Sequence, residues 1–462
     1  MFDPIAAISR ATAFEYHHRV PDAAPAPARS LGEVAALFLK LGFIAFGGPA
    51  AHIALMRDEV VKRRRWVTEQ EFLDLLGASN LIPGPTSTEL AIYLGYAGAG
   101  WRGLVLAGGL FILPAALITL AIAWAYVRYG STPQAEWLLY GIKPVIIAVV
   151  AQAIWALGRT AFKGPLYVAI GALVLALYAA GLNVIVLLLG AGVLVMVVRN
   201  ARRLRPGNPA LALVPLLGAP AVSTMASAAA ADPVSLFWVF LKIGAVLYGS
   251  GYVLLAFLRS DLVVRLQWLT DQQLIDAVAV GQFTPGPVFT TATFIGYLVA
   301  GPSGAALSTL GIFLPSFVFV AIVYPFVPRL RGSTFTSAFL DGVNVAAIGL
   351  MLAVTWQLAR SAVVDWLTAG LALVATVVRL RWRVNSVWLI AGGAGIGAIA
   401  RGLGFSLLGV GESSVRPAWS PSVARRPARS ASRDAADRTA WARRRRSRRP
   451  ARQPRIDCPR CR

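Results

Sequence analysis

The 462-residue sequence predicts an all-α polytopic membrane protein built from two tandem homologous halves, on three observations. Hydrophobic residues make up 57% of the chain and charged residues only 14%, with a mean hydropathy of +0.65, well outside soluble globular composition. Shifted by 202 residues, Phe38-Leu39-Lys40-Leu41-Gly42 falls on Phe240-Leu241-Lys242-Ile243-Gly244. Each half also carries a Pro-Gly-Pro unit, Pro83-Gly84-Pro85 and Pro285-Gly286-Pro287, inside a long apolar segment. Proline lacks an N–H and glycine carries a high backbone entropy cost, so a spanning helix loses its hydrogen-bond ladder at these points. In lipid such a break is tolerated only where protein or a water-filled cavity satisfies the freed groups. A matched pair of interrupted segments points to the substrate site of a secondary transporter.

Taken in order, residues 1–32 form a polar N-terminal segment with no apolar core of the kind a cleaved signal peptide needs. The first transmembrane repeat, 33–205, contains six apolar segments near 34–56, 72–97, 103–127, 137–157, 165–181 and 183–198. A Pro/Ala-rich linker follows over 206–233. The second repeat, 234–410, has its segments near 235–257, 273–300, 304–327, 337–358, 363–378 and 384–400. The register holds across both halves. Trp66, Thr68 and Asp74 fall on Trp268, Thr270 and Asp276 at offset 202, and Gly95-Tyr96, Pro114, Gly141, Trp155 and Arg159 fall on Gly296-Tyr297, Pro315, Gly342, Trp356 and Arg360 at offset 201. The fifth and sixth segments of each half are short for a bilayer and read as tilted pairs or partial spans.

Positive charge collects on the cytoplasmic side of a membrane protein. In the first half it follows segment one (Arg57, Lys62, Arg63, Arg64, Arg65), segment four (Arg159, Lys163) and segment six (Arg199, Arg202, Arg203, Arg205). In the second half it follows segment three (Arg329, Arg331) and segment five (Arg379, Arg381, Arg383). A Pro-Gly-Pro segment that dips in and returns leaves five crossings per half, an odd number. The expectation is therefore inverted-topology repeats, each with a broken or re-entrant Pro-Gly-Pro segment.

The breaks suggest anion chemistry. Pro85 suits the first turn of a new half-helix, whose free N–H groups and positive dipole end would point into the membrane interior. Thr86, Ser87 and Thr88 add hydroxyls there, as do Thr284, Thr290, Thr291 and Thr293 around the second break. Segment one carries a related device in Gly47-Gly48-Pro49, matched by Gly249-Ser250-Gly251. Lys40 and Lys242 recur inside segment one, where they either snorkel to the interface or help attract an anion. Asp74 and Asp276 recur as well, whereas Glu89 stands opposite Thr291 and is unique to the first half. An acid beside a break is costly unless it is paired, faces water or carries protons, so Glu89, with Asp74 and Asp276, is a coupling candidate. His52 has no second His or Cys near it and reads as a hydrogen-bonded packing residue. No cofactor or metal is expected.

Together the paired Phe-Leu-Lys-(Leu/Ile)-Gly segment, the Gly-Gly-Pro after it, the Trp-(Val/Leu)-Thr loop and the Pro-Gly-Pro with a following Gly-Tyr resemble the two-domain chromate ion transporters, over about residues 33–403. The resemblance implies a carrier in the bacterial cytoplasmic membrane that expels chromate, driven by the proton motive force, with sulfate as the related oxyanion and with oppositely oriented halves. Carried over by position, the motif residues are Lys40, Gly47, Gly48, Pro49, Asn80, Pro83, Gly84 and Pro85, then Lys242, Gly249, Gly251, Gln282, Pro285, Gly286 and Pro287, with Thr86 and Thr284 beside them. The second half departs from Gly-Gly-Pro at Ser250.

Expected partners are a chromate-like or sulfate-like oxyanion and the lipid bilayer, and a homodimer is compatible with the sequence. The runner-up within transport is a carrier or channel for sulfate or another anion. A membrane-embedded enzyme should show a clustered His/Asp, Ser/Lys or Cys constellation, which the apolar segments lack. The net charge of +23 invites a nucleic-acid reading, but 16 of the 44 Lys and Arg residues and 4 of the 21 acids follow Gly411. That Arg-rich tail, 411–462, lacks aromatic interleaving, is too poor in apolar residues to fold, and has the composition of a GC-rich reading frame translated out of register. Cys458 and Cys461 supply only half a zinc site. No nucleic-acid partner is expected, and truncation after Gly411 is expected to leave insertion and transport intact.

Overall fold

The structure, a computed structural model, describes residues 29–200, 231–248, 251–324, 334–382 and 384–402, all within one compact unit. The N-terminal segment to residue 28, most of the linker and the Arg-rich tail lie outside the described residues. Fourteen α-helices and no strand occur among the described residues.

Helix starts follow local chemistry. α1 (Leu31–Ile44) opens on a capping box in which Ser30 and Glu33 satisfy each other's backbone N–H groups. α2 (Pro49–Arg57) starts on a proline and runs into a short π-helical turn at Asp58–Arg63. α3 (Glu69–Ser79) repeats the capping box with Thr68 and Glu71. α4 (Thr86–Tyr129) follows the first Pro-Gly-Pro, and α5 (Pro133–Ala161) is capped by Thr132. The short pair α6 (Pro165–Ala179) and α7 (Val184–Asn200) closes the first half.

The second half repeats the order. It comprises α8 (Pro233–Val246), a 3₁₀ turn at Gly251–Val253 leading into α9 (Leu254–Leu258), a π-helical turn at Arg259–Arg265, and α10 (Asp271–Phe283). A 3₁₀ turn at Val288–Thr290 then leads into α11 (Thr291–Val323), followed by α12 (Thr334–Ala362), α13 (Trp366–Trp382) and α14 (Ser386–Gly402). α10 carries the Thr270–Gln273 capping box at the position of Thr68–Glu71. Two tandem copies of one unit, expected from the offset, are thus present as folded units.

α4 and α11 are each two limbs folded back on themselves. Gly100 (φ 60°) and Gly301 (φ 65°) take the left-handed backbone that lets the chain reverse. The limbs then press together without side chains between them: a Cβ on Gly95 would lie 2.4 Å from the Gly103 carbonyl, and one on Gly296 2.3 Å from that of Gly304. With these limbs, α4, α5, α11 (with its leading 3₁₀ turn) and α12 are long and apolar enough to cross a membrane. The protein is an integral membrane protein.

The halves interlock rather than sit side by side. The outer limbs of α4 and α11 meet at Gly108, where a Cβ would lie 2.6 Å from the Phe317 ring, while Tyr96 of the first limb packs on Tyr324 and the Thr119 hydroxyl donates to Thr290 in the turn before α11. The short helices are exchanged: α6 and α7 pack on α12 of the other half, and α13 and α14 pack on α5. Small residues permit these contacts, with a Cβ on Gly141 falling 1.9 Å from the Gly393 carbonyl and one on Gly342 2.4 Å from that of Ala191. Phe38, Phe72, Tyr93 and Phe111 fill one core, and Phe240, Phe257, Phe289 and Phe294 fill a second.

Candidate functional site

Each half contributes two breaks to one place. In the first half the chain leaves α1, passes Gly47 (φ 104°) and Gly48 (φ 84°), and begins α2 at Pro49. It then leaves α3 at Asn80 and begins α4 at Thr86, after Gly84 (φ 141°) and Pro85. The second half brings Gly251 and Val253, then Pro287, Val288 and Phe289. These four turns border a cavity of about 600 Å³. α5 and α12 complete its wall with Gln152, Ala153, Thr160, Asp341, Asn344 and Met351, while Lys163 and Arg379 add cations.

The two Pro-Gly-Pro turns are tied to each other's halves by equivalent bonds. The Gly84 N–H donates to the Leu247 carbonyl at 2.8 Å, and the Gly286 N–H donates to the Ala45 carbonyl at 2.8 Å. Residues 45 and 247, like 84 and 286, are 202 apart, so each half braces the other through the same contact. These two amides are therefore structural. The groups facing the cavity come from the turns just beyond them: Pro85, Thr86 and Ser87 in one half, Pro287, Val288 and Phe289 in the other. Helices α2 and α4 start at the cavity wall, and their unsatisfied first-turn N–H groups and positive dipole ends belong to that wall.

Of the residues singled out in the sequence as binding candidates, Gly47, Gly48, Pro49, Asn80, Pro85, Thr86, Ser87, Gly251 and Pro287 line the cavity. Pro83, Gly84, Thr284, Pro285 and Gly286 are in the supporting turns and do not line it, nor does Gln282 in the last turn of α10, and Gly249 lies outside the described residues. Lys40 and Lys242 do not reach the cavity. Lys40 pairs with Glu59 at 2.7 Å, Lys242 pairs with Asp261, and both acids sit on the π-helical turns. The Lys40 hydrogen bond holds the Glu59 carboxyl below the usual carboxylate range.

The three coupling candidates occupy different surroundings. Glu89 is fully buried one turn into α4, with its carboxyl against Gly84: a Cβ there would lie 2.2 Å from Glu89 Oε1 and 2.5 Å from Ser316 Oγ. The Ser316 hydroxyl stands beside the carboxyl as its polar neighbour, though neither carboxyl oxygen meets strict hydrogen-bond geometry among the described residues. Asp276 is buried too but accepts from Tyr126 Oη at 2.8 Å, with Lys143 Nζ 3.6 Å away. Asp74 is half-buried and accepts from Gln70 at 2.9 Å.

Sequence reasoning did not assign Gln152, Asn344, Lys163, Asp341 or Arg379 to a site. Gln152 and Asn344 carried a signal, being polar residues within apolar segments four. In the sequence Lys163 and Arg379 read only as orientation charges. Lys163 pairs with Asp341 at 2.7 Å, and Arg199 reaches the same carboxylate at 2.8 Å. His52 packs edge-on against Phe111 and hydrogen-bonds Ser87 Oγ at 3.2 Å, and it also borders the cavity. No cluster of three or more His, Cys, Asp or Glu residues suited to a metal occurs among the described residues.

A family model described as "Chromate transporter" matches residues 32–196 and again 234–398. The chain is 37% identical over 381 residues to the "Chromate transport protein" of Cupriavidus metallidurans, covering 81% of this chain and 94% of that one. It is 33% identical over 363 residues to the "Probable chromate transport protein" of Synechococcus elongatus, covering 76% and 90%. An uncharacterized transporter of Methanocaldococcus jannaschii is 27% identical over 364 residues, covering 76% and 90%. No solved structure matches.

Proposed function

We propose that this chain, which belongs to the chromate transporter family, exports chromate from the cytoplasm across the bacterial cytoplasmic membrane, driven by the inward proton gradient, with sulfate as the competing oxyanion. The observation that carries this is the convergence of four backbone breaks, two from each half, on one cavity. A tetrahedral dianion needs many hydrogen-bond donors in a place where water is scarce, and helix N-termini supply donors with a favourable dipole at no cost of added charge. Thr86 and Ser87 hydroxyls stand beside them. Pro83, Gly84, Pro285 and Gly286 set the turns that aim these groups, while Lys40 and Lys242 brace segment one through Glu59 and Asp261.

The two halves are proposed to lie inverted in the membrane, with their Pro-Gly-Pro tips meeting near the midplane. The move of the positive loops from segments one, four and six of the first half to segments three and five of the second supports this arrangement. It gives the cavity two pseudo-equivalent approaches, one from each face, as alternating access requires. Glu89, one turn behind the tip, is proposed as the proton carrier, because movement of the α4 start would alter what its carboxyl touches.

Everted membrane vesicles test the function. Labelled chromate is expected to accumulate, to be displaced by unlabelled sulfate, and to stop accumulating when a protonophore is added. Accumulation that ignores the protonophore removes the proton gradient as driving force, and no accumulation at verified protein levels removes chromate export. Single cysteines at the equivalent positions Arg63 and Arg265 are expected to react with an impermeant thiol reagent from opposite membrane faces; labelling from one face sinks the inversion.

A further inference from the structure

We propose that Arg379 is the charged oxyanion-binding residue of the cavity and sets its preference for dianions over monoanions. This rests on the oxyanion transport proposed above. Arg379 lies near the end of α13, at the tip between α13 and α14, and its side chain lines the cavity. The same tip reaches the first-half break, since Asn385 Nδ2 lies 3.8 Å from where a Cβ on Gly47 would be. The second half's outermost hairpin thus supplies a cation to a wall built from the four turns, α5 and α12.

What surrounds the guanidinium makes it available. Its Nε donates to Gln152 Oε1 at 3.2 Å and one Nη donates to the Val384 carbonyl, both neutral acceptors. A guanidinium has five N–H donors, so these bonds fix its position and leave donors over. No carboxylate lies within ion-pair distance of it among the described residues. Lys163, on the same cavity, is by contrast neutralised by Asp341 at 2.7 Å. A planar fork suited to two oxygens of one oxyanion, held by neutral groups, keeps its charge available to a dianion.

The other half shows that the charge is not a by-product of the fold. At offset 201 the counterpart of Arg379 is Tyr178, which stands beside Arg259. Arg259 is itself neutralised by Asp271, at 2.8 and 3.2 Å. The two equivalent tips therefore differ: one carries a cation with neutral partners, the other a phenol beside a closed ion pair.

The test measures chromate uptake by everted vesicles, with sulfate and nitrate as competitors, and the sulfate-induced rise in thermal unfolding temperature of the detergent-purified full chain. Arg379→Gln is expected to raise KM for chromate at least tenfold, to erase the advantage of sulfate over nitrate, and to abolish the sulfate-induced shift. Arg379→Lys is expected to keep the preference for sulfate with an intermediate KM. Wild-type KM and an unchanged sulfate-to-nitrate ratio in Arg379→Gln, at wild-type membrane abundance, overturn the assignment. Should that variant fail to accumulate, Gln152→Glu decides: a carboxylate set against Arg379 should abolish the sulfate shift, and a retained shift overturns the assignment. A wild-type protein that neither transports chromate nor is stabilised by sulfate overturns the oxyanion function itself, and Arg379's part with it.

Discussion

The two halves share their backbone and differ in their chemistry. Gly84 and Gly286 make the same bond to the opposite half, α4 and α11 reverse at the same point, and α7 and α14 dock the same way on the other half's long helix. Side chains at equivalent positions diverge: Glu89 faces Thr291, Arg379 faces Tyr178, and Asp276 with Lys143 faces Asp74 with Asn344. Duplication preserves what the fold needs twice. A substrate that occupies a single cavity needs each charged group only once, so those groups are free to reside in one half.

The largest effects should fall on symmetric features. Gly141→Val and Gly342→Val should each prevent accumulation in the membrane, because even a Cβ would penetrate the Gly393 or Ala191 carbonyl by van der Waals standards. Overpacking a tight contact costs roughly 1–3 kcal/mol, more when backbone stands in the way. Quantifying membrane protein by immunoblot checks this, and normal abundance of either variant would show that the exchanged hairpins are not what holds the halves together.

Next come the two Pro-Gly-Pro glycines, where symmetry begins to fail. Both have positive φ, so alanine is strained at each. At Gly84 the new methyl clashes with the Glu89 carboxyl and Ser316, whereas at Gly286 it crowds the Ala115 methyl, at 2.8 Å, and meets the Gly42 and Phe111 carbonyls at an ordinary 3.6 Å. Gly84→Ala is therefore expected to lower transport at least tenfold and Gly286→Ala several-fold, with membrane abundance largely kept. Equal losses would mean that Glu89 has no special part; parallel loss of abundance would mean that the glycines serve folding.

Much of this architecture was legible in the sequence. The offset of 202 located both halves, the Pro-Gly-Pro units located the central turns, and the gap between segments ending at 97 and starting at 103 coincides with the reversal at Gly100. Gly47-Gly48-Pro49 and Asn80 were named and do line the cavity. What stayed hidden depends on contacts distant in sequence. The Lys40–Glu59 and Lys242–Asp261 pairs join residues across a turn whose path the sequence does not specify, so two paired lysines resembled anion attractors. Arg379, followed closely by Arg381 and Arg383, resembled an interfacial charge. That it reaches the cavity follows from the exchange of α13 and α14 onto α5, a pairing no local pattern encodes.

A subtler test addresses coupling. Glu89→Gln should flatten the pH dependence of chromate transport while Thr291→Val, at the equivalent position, should leave the profile's shape unchanged. Thr291 Oγ1 is already engaged, donating to the Val288 carbonyl at 2.7 Å, and it carries no exchangeable charge. Vesicle uptake measured across pH distinguishes them. An unaltered profile in Glu89→Gln would remove Glu89 and leave Asp74 and Asp276 as candidates.

The smallest expected difference separates those two aspartates, and it concerns stability. Asp276 is buried at the junction of the halves, where α10 of the second half meets α4 and α5 of the first through Tyr126 and Lys143. Asparagine there keeps an acceptor for Tyr126 but loses the charge that Lys143 faces. Hydrogen bonds to charged groups contribute about 1.5–3 kcal/mol and neutral ones about 1 kcal/mol, so the loss expected for Asp276→Asn is on the order of 1–2 kcal/mol. Asp74 occupies the same place in the repeat, yet it is half-buried and its bond to Gln70 is exposed, so solvent can replace much of what Asp74→Asn removes. Thermal unfolding in detergent should therefore show a clear drop in midpoint for Asp276→Asn and a smaller one for Asp74→Asn. Equal drops would mean that the Tyr126–Asp276–Lys143 group does not bind the halves together, and that the asymmetry between them is confined to the cavity.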